Sequence, residues 1–73
     1  MSKMNIYEIT IDGNFIGTIV EQSFASAAIS TMHVTGREEA EILTVKCLNN
    51  GKSRTYYETW FDSDGDFTAD WWN

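Results

Sequence analysis

Proline is absent from the 73-residue sequence, and cysteine occurs only once, as Cys47. The absence of proline favours strands and hairpins, because proline cannot donate to the hydrogen-bond ladder of a sheet. A single cysteine excludes an internal disulfide, so the small core has to be stabilised by aromatic packing or by a partner. No run of about 18 apolar residues occurs and no signal-peptide block follows the N-terminus, so we expect a cytoplasmic protein with no membrane segment.

Basic residues are few: five Lys and Arg stand against eleven Asp and Glu, which gives a net charge of −6. This balance opposes direct binding to nucleic acid or to anionic lipid. The sequence also lacks a glycine-rich phosphate loop and a cluster of metal ligands, and no pattern brings its only histidine, His33, to Cys47. We therefore predict a single domain over residues 1–73 that has no catalytic activity, metal or cofactor.

Turn and capping residues indicate five strands and one helix. Asp12-Gly13 and Asn50-Gly51 are typical of tight hairpin turns, and Asp64-Gly65 marks a further turn. Ser23 is a suitable N-cap for a helix that Gly36 would terminate. The prediction is an α+β fold of order ββαβββ, with an antiparallel sheet of four to five strands and the helix packed on one face. The predicted strands are 6–11, 15–20, 41–48, 54–61 and 67–72, and the helix runs from Phe24 to about Val34.

Periodicity indicates which side chains of the first hairpin and of the helix face the core. With a two-residue turn, Ile9 faces Ile16 and Val20 lies inside. With a three-residue loop, Ile19 lies inside instead, and the sequence leaves both registers open. In the helix, the spacing i, i+3, i+4 and i+7 predicts a core-facing stripe of Ala25, Ala28, Ile29 and Met32.

Most of the net charge lies in residues 55–73. This tail holds five acidic residues, no basic residue and seven of the ten aromatic residues. Because large rings drive collapse, we expect the tail to be folded, with an acidic and aromatic surface. We predict that this surface binds a partner through apolar anchors and an acidic rim, formed by Tyr57, Glu58, Trp60, Asp62, Asp64, Asp66, Asp70 and Trp72.

The adjacent tryptophans Trp71 and Trp72 cannot both be core residues, because neighbouring strand residues point to opposite faces. Counting by twos from Phe67 places Trp71 inside and leaves Trp72 outside, beside Asp70. A large exposed ring next to a carboxylate is typical of a binding patch. The alternative is that Trp72 folds over an edge or frays at the terminus.

The acidic segment Asp62–Asp66 partly matches the first half of a calcium-binding loop. In that pattern glycine follows the third acid, whereas here Gly65 precedes the third acid and Phe67 takes the glycine position. We therefore predict a solvated turn that needs no calcium. On a strand, alternate acids would project about 6.5 to 7 Å apart, near the phosphate spacing along DNA, so a short DNA-mimicking row is a further interpretation. Three carboxylates are few for that purpose, and general protein occlusion ranks above it.

The order of segments along the chain points to a class of proteins. A leading hairpin is followed by Glu21–Ala28, which opens the helix, then by Val45–Gly51 and an acidic aromatic end. In this layout, in size and in acidity, the chain resembles small accessory proteins of bacteriophages and mobile elements, including some anti-CRISPR proteins. The resemblance implies a non-enzymatic inhibitor that acts by occlusion inside a bacterial host cell.

Two classes of function follow from these observations. In the first, the protein occludes a host protein with a basic surface, such as a nucleic-acid-binding or defence complex. In the second, it is a small structural or homo-oligomeric protein whose aromatic end forms a self-interface and completes its core. Light scattering separates the two, because a monomer at all concentrations excludes the self-interface.

Overall fold

One helix and five antiparallel strands make up residues 3–73, the part of the chain that the computed structural model describes. The elements follow the predicted order ββαβββ, which confirms the α+β fold. Within this described range, no helix is long and apolar enough to cross a membrane. The strands are β1 (Asn5–Ile11), β2 (Asn14–Glu21), β3 (Glu39–Cys47), β4 (Ser53–Phe61) and β5 (Phe67–Trp72), and the helix is α1 (Phe24–Thr35).

The strands form a single sheet in the order β2-β1-β3-β4-β5, and each neighbouring pair is antiparallel. The helix connects β2 to β3 and packs on β1, β2 and β3 from one side. We call this side of the sheet the helix-side face. The other side is called the open face, because no described helix or strand packs on it.

The ends of α1 are fixed by the two residues that the sequence predicts. The hydroxyl oxygen of Ser23 accepts a hydrogen bond from the backbone N–H of Ser26 at 3.1 Å. Gly36 adopts a left-handed conformation (φ 69°), and its N–H donates to the carbonyl oxygen of His33. These are a standard N-cap and a standard glycine C-cap, and they confirm the predicted limits of the helix.

The buried side of α1 differs from the predicted stripe. Ala28 and Met32 are buried as expected, whereas Ala25 is exposed and Ile29 is only half-buried. The helix is rotated about its axis so that the residues preceding Ala28 and Met32 also face the sheet. The buried residues of α1 are Ala27, Ala28, Thr31 and Met32.

The first hairpin combines features of both predicted registers. Asp12-Gly13 forms a two-residue turn in which both residues have positive φ, as a type I′ turn requires. A β-bulge then leaves Ile16 unpaired, so the predicted pairing of Ile9 with Ile16 is wrong. Because the bulge shifts the register, Ile16 and Ile19 both pack against the core, and Val20 is 53% exposed.

The core lies between α1 and the helix-side face. Cys47 is 1% exposed, which confirms that it is a core residue. Phe24, Phe61 and Phe67 are partly buried at the margin of the core. The buried apolar residues are Tyr7, Ile9, Ile11, Ala27, Ala28, Met32, Ala40, Leu43, Val45, Cys47 and Tyr56.

Candidate partner-binding face

In β3, the regular alternation of buried and exposed side chains is interrupted at Glu41. Leu43 is buried and Ile42 is exposed, as alternation requires, but the next buried residue is Ala40. Glu41 is therefore an additional exposed residue between the two regular parts of the strand. A carboxylate oxygen of Asp12 stabilises this break, because it accepts hydrogen bonds from the backbone N–H groups of Glu41 (2.9 Å) and Ile42 (3.0 Å).

The neighbouring strand β4 has a matching break at Glu58. Tyr56 and Thr59 are both buried, although they are three residues apart, and Glu58 between them is exposed. Glu58 has φ 53°, a left-handed conformation that costs a non-glycine residue on the order of 1 kcal/mol. Because β3 and β4 keep one register on both sides of the break, Glu58 lies opposite Glu41.

The break continues into β5 at Asp70. Thr59 pairs with Ala69, and the same register places Asp70 opposite Glu58. Glu41, Glu58 and Asp70 therefore lie side by side on three adjacent strands, and we call them the acid row. The acid row therefore places three acidic residues on adjacent strands at one exposed position of the sheet.

The acid row lines a groove of about 540 Å³. Asp12 and Glu39 add two more carboxylates to its walls, and Trp60, the cross-strand partner of Glu39, adds an aromatic ring that is 37% exposed. Among the described residues that line the groove, none is Lys, Arg or His. The groove therefore offers concentrated negative charge next to an apolar ring.

An apolar strip runs parallel to the acid row on the open face. It consists of Ile42, Tyr57 and Trp71, which are paired across β3, β4 and β5. The rings of Tyr57 and Trp71 are stacked, with centroids 3.8 Å apart and planes inclined by 8°. Ile42 is 44% exposed and Trp71 is 54% exposed. The strip thus presents apolar surface that the protein itself leaves uncovered.

The two C-terminal tryptophans occupy the reverse of their predicted faces. Trp72 pairs with the buried Tyr56 and so lies on the helix side, where the guanidinium of Arg54 sits 3.9 Å from its ring centroid. Trp71 was expected inside, and this prediction is wrong because the alternation breaks at Asp70. Neither ring is core, since Trp72 is 55% exposed and Trp71 is exposed to the same degree.

Asp62, Asp64 and Asp66 form a separate cluster in the turn between β4 and β5. A carboxylate oxygen of Asp62 accepts hydrogen bonds from the N–H groups of Asp64 and Asp66, each at 2.9 Å. Within the described part of the chain, this set has carboxylate oxygens within 4.8 Å of one another and could hold a cation. Because the segment is a folded turn, the predicted row of acids at phosphate spacing along a strand is wrong. That calcium is not needed remains a prediction.

The remaining titratable candidates have structural surroundings. The ring of His33 packs against that of Phe61 with centroids 5.1 Å apart, whereas Cys47 is buried in β3 opposite Tyr7. Burial raises the pKa of the Tyr56 hydroxyl above its ordinary value, and a neighbouring arginine acts in the opposite direction. These groups lie apart from the acid row and the apolar strip.

The structure brings half of the predicted site residues together. Trp60, Glu58 and Asp70 line the groove, and Tyr57 belongs to the apolar strip. Trp72 lies on the opposite face, and the three acids of the β4–β5 turn do not line the groove. We call the groove and the strip together the binding face: Asp12, Glu39, Glu41, Ile42, Tyr57, Glu58, Trp60, Asp70 and Trp71.

Several residues of the binding face were missed by the sequence analysis because they precede the acidic tail. Only the register between β3 and β4 brings them beside it. These residues are Asp12, Glu39, Glu41 and Ile42. Trp71 lies within the tail and was missed because it was expected inside. An acidic residue stands next to a large apolar residue in each of the strands β3, β4 and β5, as Glu41-Ile42, Tyr57-Glu58 and Asp70-Trp71. Because β1 and β2 also contain such pairs, this pattern does not single out the three strands.

Comparisons with protein-family models, with curated proteins and with solved structures gave no match. No relative therefore bears on the function, which has to be inferred from the charge, exposure and packing of the binding face.

Proposed function

We propose that the protein is a non-enzymatic binding protein whose binding face occludes a basic surface of another protein. The observation that carries this proposal is the acid row, in which Glu41, Glu58 and Asp70 lie side by side next to exposed apolar side chains. The left-handed backbone at Glu58 also costs folding stability, and strain of this kind clusters at functional sites. A partner that supplies Lys or Arg would neutralise the acidic groove on binding.

The two parts of the binding face have different roles in this proposal. Charge mainly governs how fast partners associate, because opposite potentials steer the encounter. The net charge of −6 and the acidic groove therefore favour rapid approach to a basic surface. The apolar strip, with its stacked Tyr57 and Trp71, governs how long the complex lasts, since desolvated aromatic side chains contribute most to slow dissociation.

The class of partner follows from the charge. Proteins that bind nucleic acid carry basic surfaces, so a nucleic-acid-binding protein or defence complex of a bacterial host fits the acidic groove. Together with the resemblance to small phage proteins, this supports a phage-encoded inhibitor that acts in the host cytoplasm. The acidity of the chain opposes direct contact with nucleic acid.

A homo-oligomer is the second candidate, and one observation favours it. The open face carries further exposed apolar residues away from the binding face. Ile6 pairs with Val20, and the N–H of Leu48 donates to the carbonyl oxygen of Ile6, so these three side chains are neighbours. Exposed apolar patches mark interfaces. A light-scattering mass equal to that of the monomer at every concentration would exclude this candidate.

Affinity capture from a bacterial lysate at low and high salt tests the main proposal. The immobilised wild type is compared with Asp70→Lys, which reverses a charge of the acid row, and with Asp64→Lys, which makes the same change in the separate turn. We expect a protein that wild type and Asp64→Lys retain at low salt and that Asp70→Lys fails to retain. Capture of nothing by wild type, or equal capture by both variants, would contradict the proposal.

A further inference from the structure

We infer that the partner presents an amphipathic α-helix that lies across β3, β4 and β5, with apolar residues on the apolar strip and Lys or Arg along the flank above the acid row. This inference rests on the proposed function and specifies the shape and the charge pattern of the partner. It follows from the spacing of the strip, the position of the acids and the composition of this chain.

The spacing of the apolar strip matches one side of a helix. Neighbouring strands are about 4.8 Å apart, so Ile42, Tyr57 and Trp71 span roughly 10 Å across three strands. In an α-helix, residues i and i+7 are separated by about 10.5 Å, with i+3 or i+4 between them on the same side. An extended segment places same-side residues about 6.7 Å apart and would lose register with the strip after one contact.

The polar surroundings of the strip are asymmetric. On one side lies the acid row, in which a carboxylate is adjacent in sequence to each strip residue: Glu41 to Ile42, Glu58 to Tyr57, and Asp70 to Trp71. For a helix that lies on the strip, basic residues therefore make favourable electrostatic contacts only along that flank.

The other side of the strip carries a neutral row. Thr44 pairs with Thr10 on β1 and with Thr55 on β4, and the hydroxyl oxygens of Thr44 and Thr55 are 3.4 Å apart. Hydroxyl groups neither attract nor repel a basic side chain strongly. The second flank of the partner helix is therefore expected to be polar and uncharged.

A second copy of this chain does not provide such a helix. The single helix of the described residues, α1, contains no Lys or Arg, and its apolar residues Ala27, Ala28 and Met32 are buried against its own sheet. Two copies would also bring two acid rows and two net charges of −6 together. Charge complementarity therefore favours a different protein that carries a basic helix.

Two synthetic probe peptides test the inference. Both have about 18 residues, enough to form a helix, and consist of the same numbers of Leu, Lys, Gln and Ala. In the helix-patterned peptide, Leu recurs at spacings of three and four and Lys lies along one flank. In the strand-patterned peptide, Leu and Lys occupy alternate positions. Tryptophan fluorescence and peptide anisotropy report binding to the full chain, and circular dichroism verifies that each variant is folded.

We expect the helix-patterned peptide to bind wild type about tenfold more tightly than the strand-patterned peptide. Trp71→Ala should weaken its binding about tenfold, and Asp70→Asn about fivefold. Asp64→Asn removes an equal charge from the turn and should change binding less than about twofold. The bound peptide should show increased helical circular dichroism.

Tighter or equal binding of the strand-patterned peptide would overturn the inference, as would equal weakening by Asp70→Asn and Asp64→Asn. A protein that dimerises through the binding face in the absence of peptide, so that Trp71→Ala makes it monomeric, would also overturn it and would point to a second copy as the occupant. These failures are distinct from failure of the proposed function, because lysate capture that depends on Asp70 tests occlusion whatever the secondary structure of the partner.

Discussion

The two faces of the sheet differ most clearly in β3 and β4, where adjacent residues have opposite roles. Leu43 is completely buried on the helix side, and its neighbour Ile42 is 44% exposed on the open face. In β4, Tyr56 is buried on the helix side and its neighbour Tyr57 is half-buried on the open face. The helix-side residues therefore hold the fold together, whereas the open-face residues contribute surface that is available to a partner.

The comparison of the two faces also shows that exposure alone does not identify a binding residue. Trp71 and Trp72 are exposed to almost the same extent, at 54% and 55%. Trp72 interacts with Arg54 of its own chain, whereas Trp71 stacks on Tyr57 beside the acid row. The difference in surroundings, rather than in exposed fraction, separates a stabilising ring from a candidate anchor.

The largest expected effect tests the contrast between the faces directly. Leu43→Ala should lower the free energy of unfolding by about 2–5 kcal/mol, because it leaves a cavity in the core. Ile42→Ala should lower it by less than about 1 kcal/mol, because Ile42 is 44% exposed and its removal leaves no enclosed cavity. Urea denaturation followed by circular dichroism measures both values. Equal losses would show that the open face is covered in solution.

Asp12 links the open face to the first hairpin, and its removal should have the next largest effect. Asp12→Ala should lower the free energy of unfolding by about 2 kcal/mol, because the N–H groups of Glu41 and Ile42 lose their acceptor. Asp12→Asn keeps an acceptor oxygen and tolerates the positive φ, so it should cost much less. Thermal denaturation of the two variants compares them. An alanine variant as stable as the asparagine variant would mean that these hydrogen bonds do not maintain the break in β3.

Substitution of Glu58 by glycine should raise, rather than lower, the free energy of unfolding. Glu58→Gly should stabilise the protein by about 1 kcal/mol, because glycine adopts the left-handed conformation freely and the change removes one charge from the acid row. Glu58→Ala serves as the control, since it removes the same charge but keeps the strained backbone. The free energy of unfolding of the glycine variant should exceed that of the alanine variant. The reverse order would argue against strain at this position.

The smallest effect concerns the helix-side residue Tyr56. Its pKa is raised above the ordinary value of 10.0, mainly by burial, so the folded protein keeps the proton after the unfolded chain has lost it. The contribution of Tyr56 to stability is therefore intact below pH 10.0 and decreases as the pH rises through the folded-state pKa. Wild type should lose slightly more stability than Tyr56→Phe in this alkaline range. Identical pH profiles would contradict this assignment.

The positions of the strands and of the helix were predictable because local residues determine them. The Asp12-Gly13 turn, the Ser23 cap and the Gly36 terminator act within a few residues of the chain and appear where expected. The breaks at Glu41, Glu58 and Asp70 were not predictable. A prediction that assumes strict alternation of buried and exposed residues cannot show where an extra exposed residue interrupts the strand. For that reason the prediction for Trp71 failed, although the limits of β5 were correct.

The acid row could not be predicted from the sequence for a similar reason. The acids of the tail were recognised, but their neighbours on the sheet depend on pairing between β3 and β4. Glu41 and Glu58 are separated by a hairpin, and only its register shows that they are opposed. The acids of Asp62–Asp66, although the densest in the sequence, are held in a turn by the carboxylate of Asp62.

The rate of dissociation from the captured partner, compared for Trp71→Ala and Trp72→Ala, tests the central claim most directly. The two variants remove the same ring from neighbouring positions of equal exposure on opposite faces. If the open face binds the partner, Trp71→Ala should accelerate dissociation about 30-fold, as the loss of an aromatic anchor does, and Trp72→Ala should change it less than about threefold. A larger effect of Trp72→Ala in a protein that remains folded would contradict the claim and assign binding to the helix-side face.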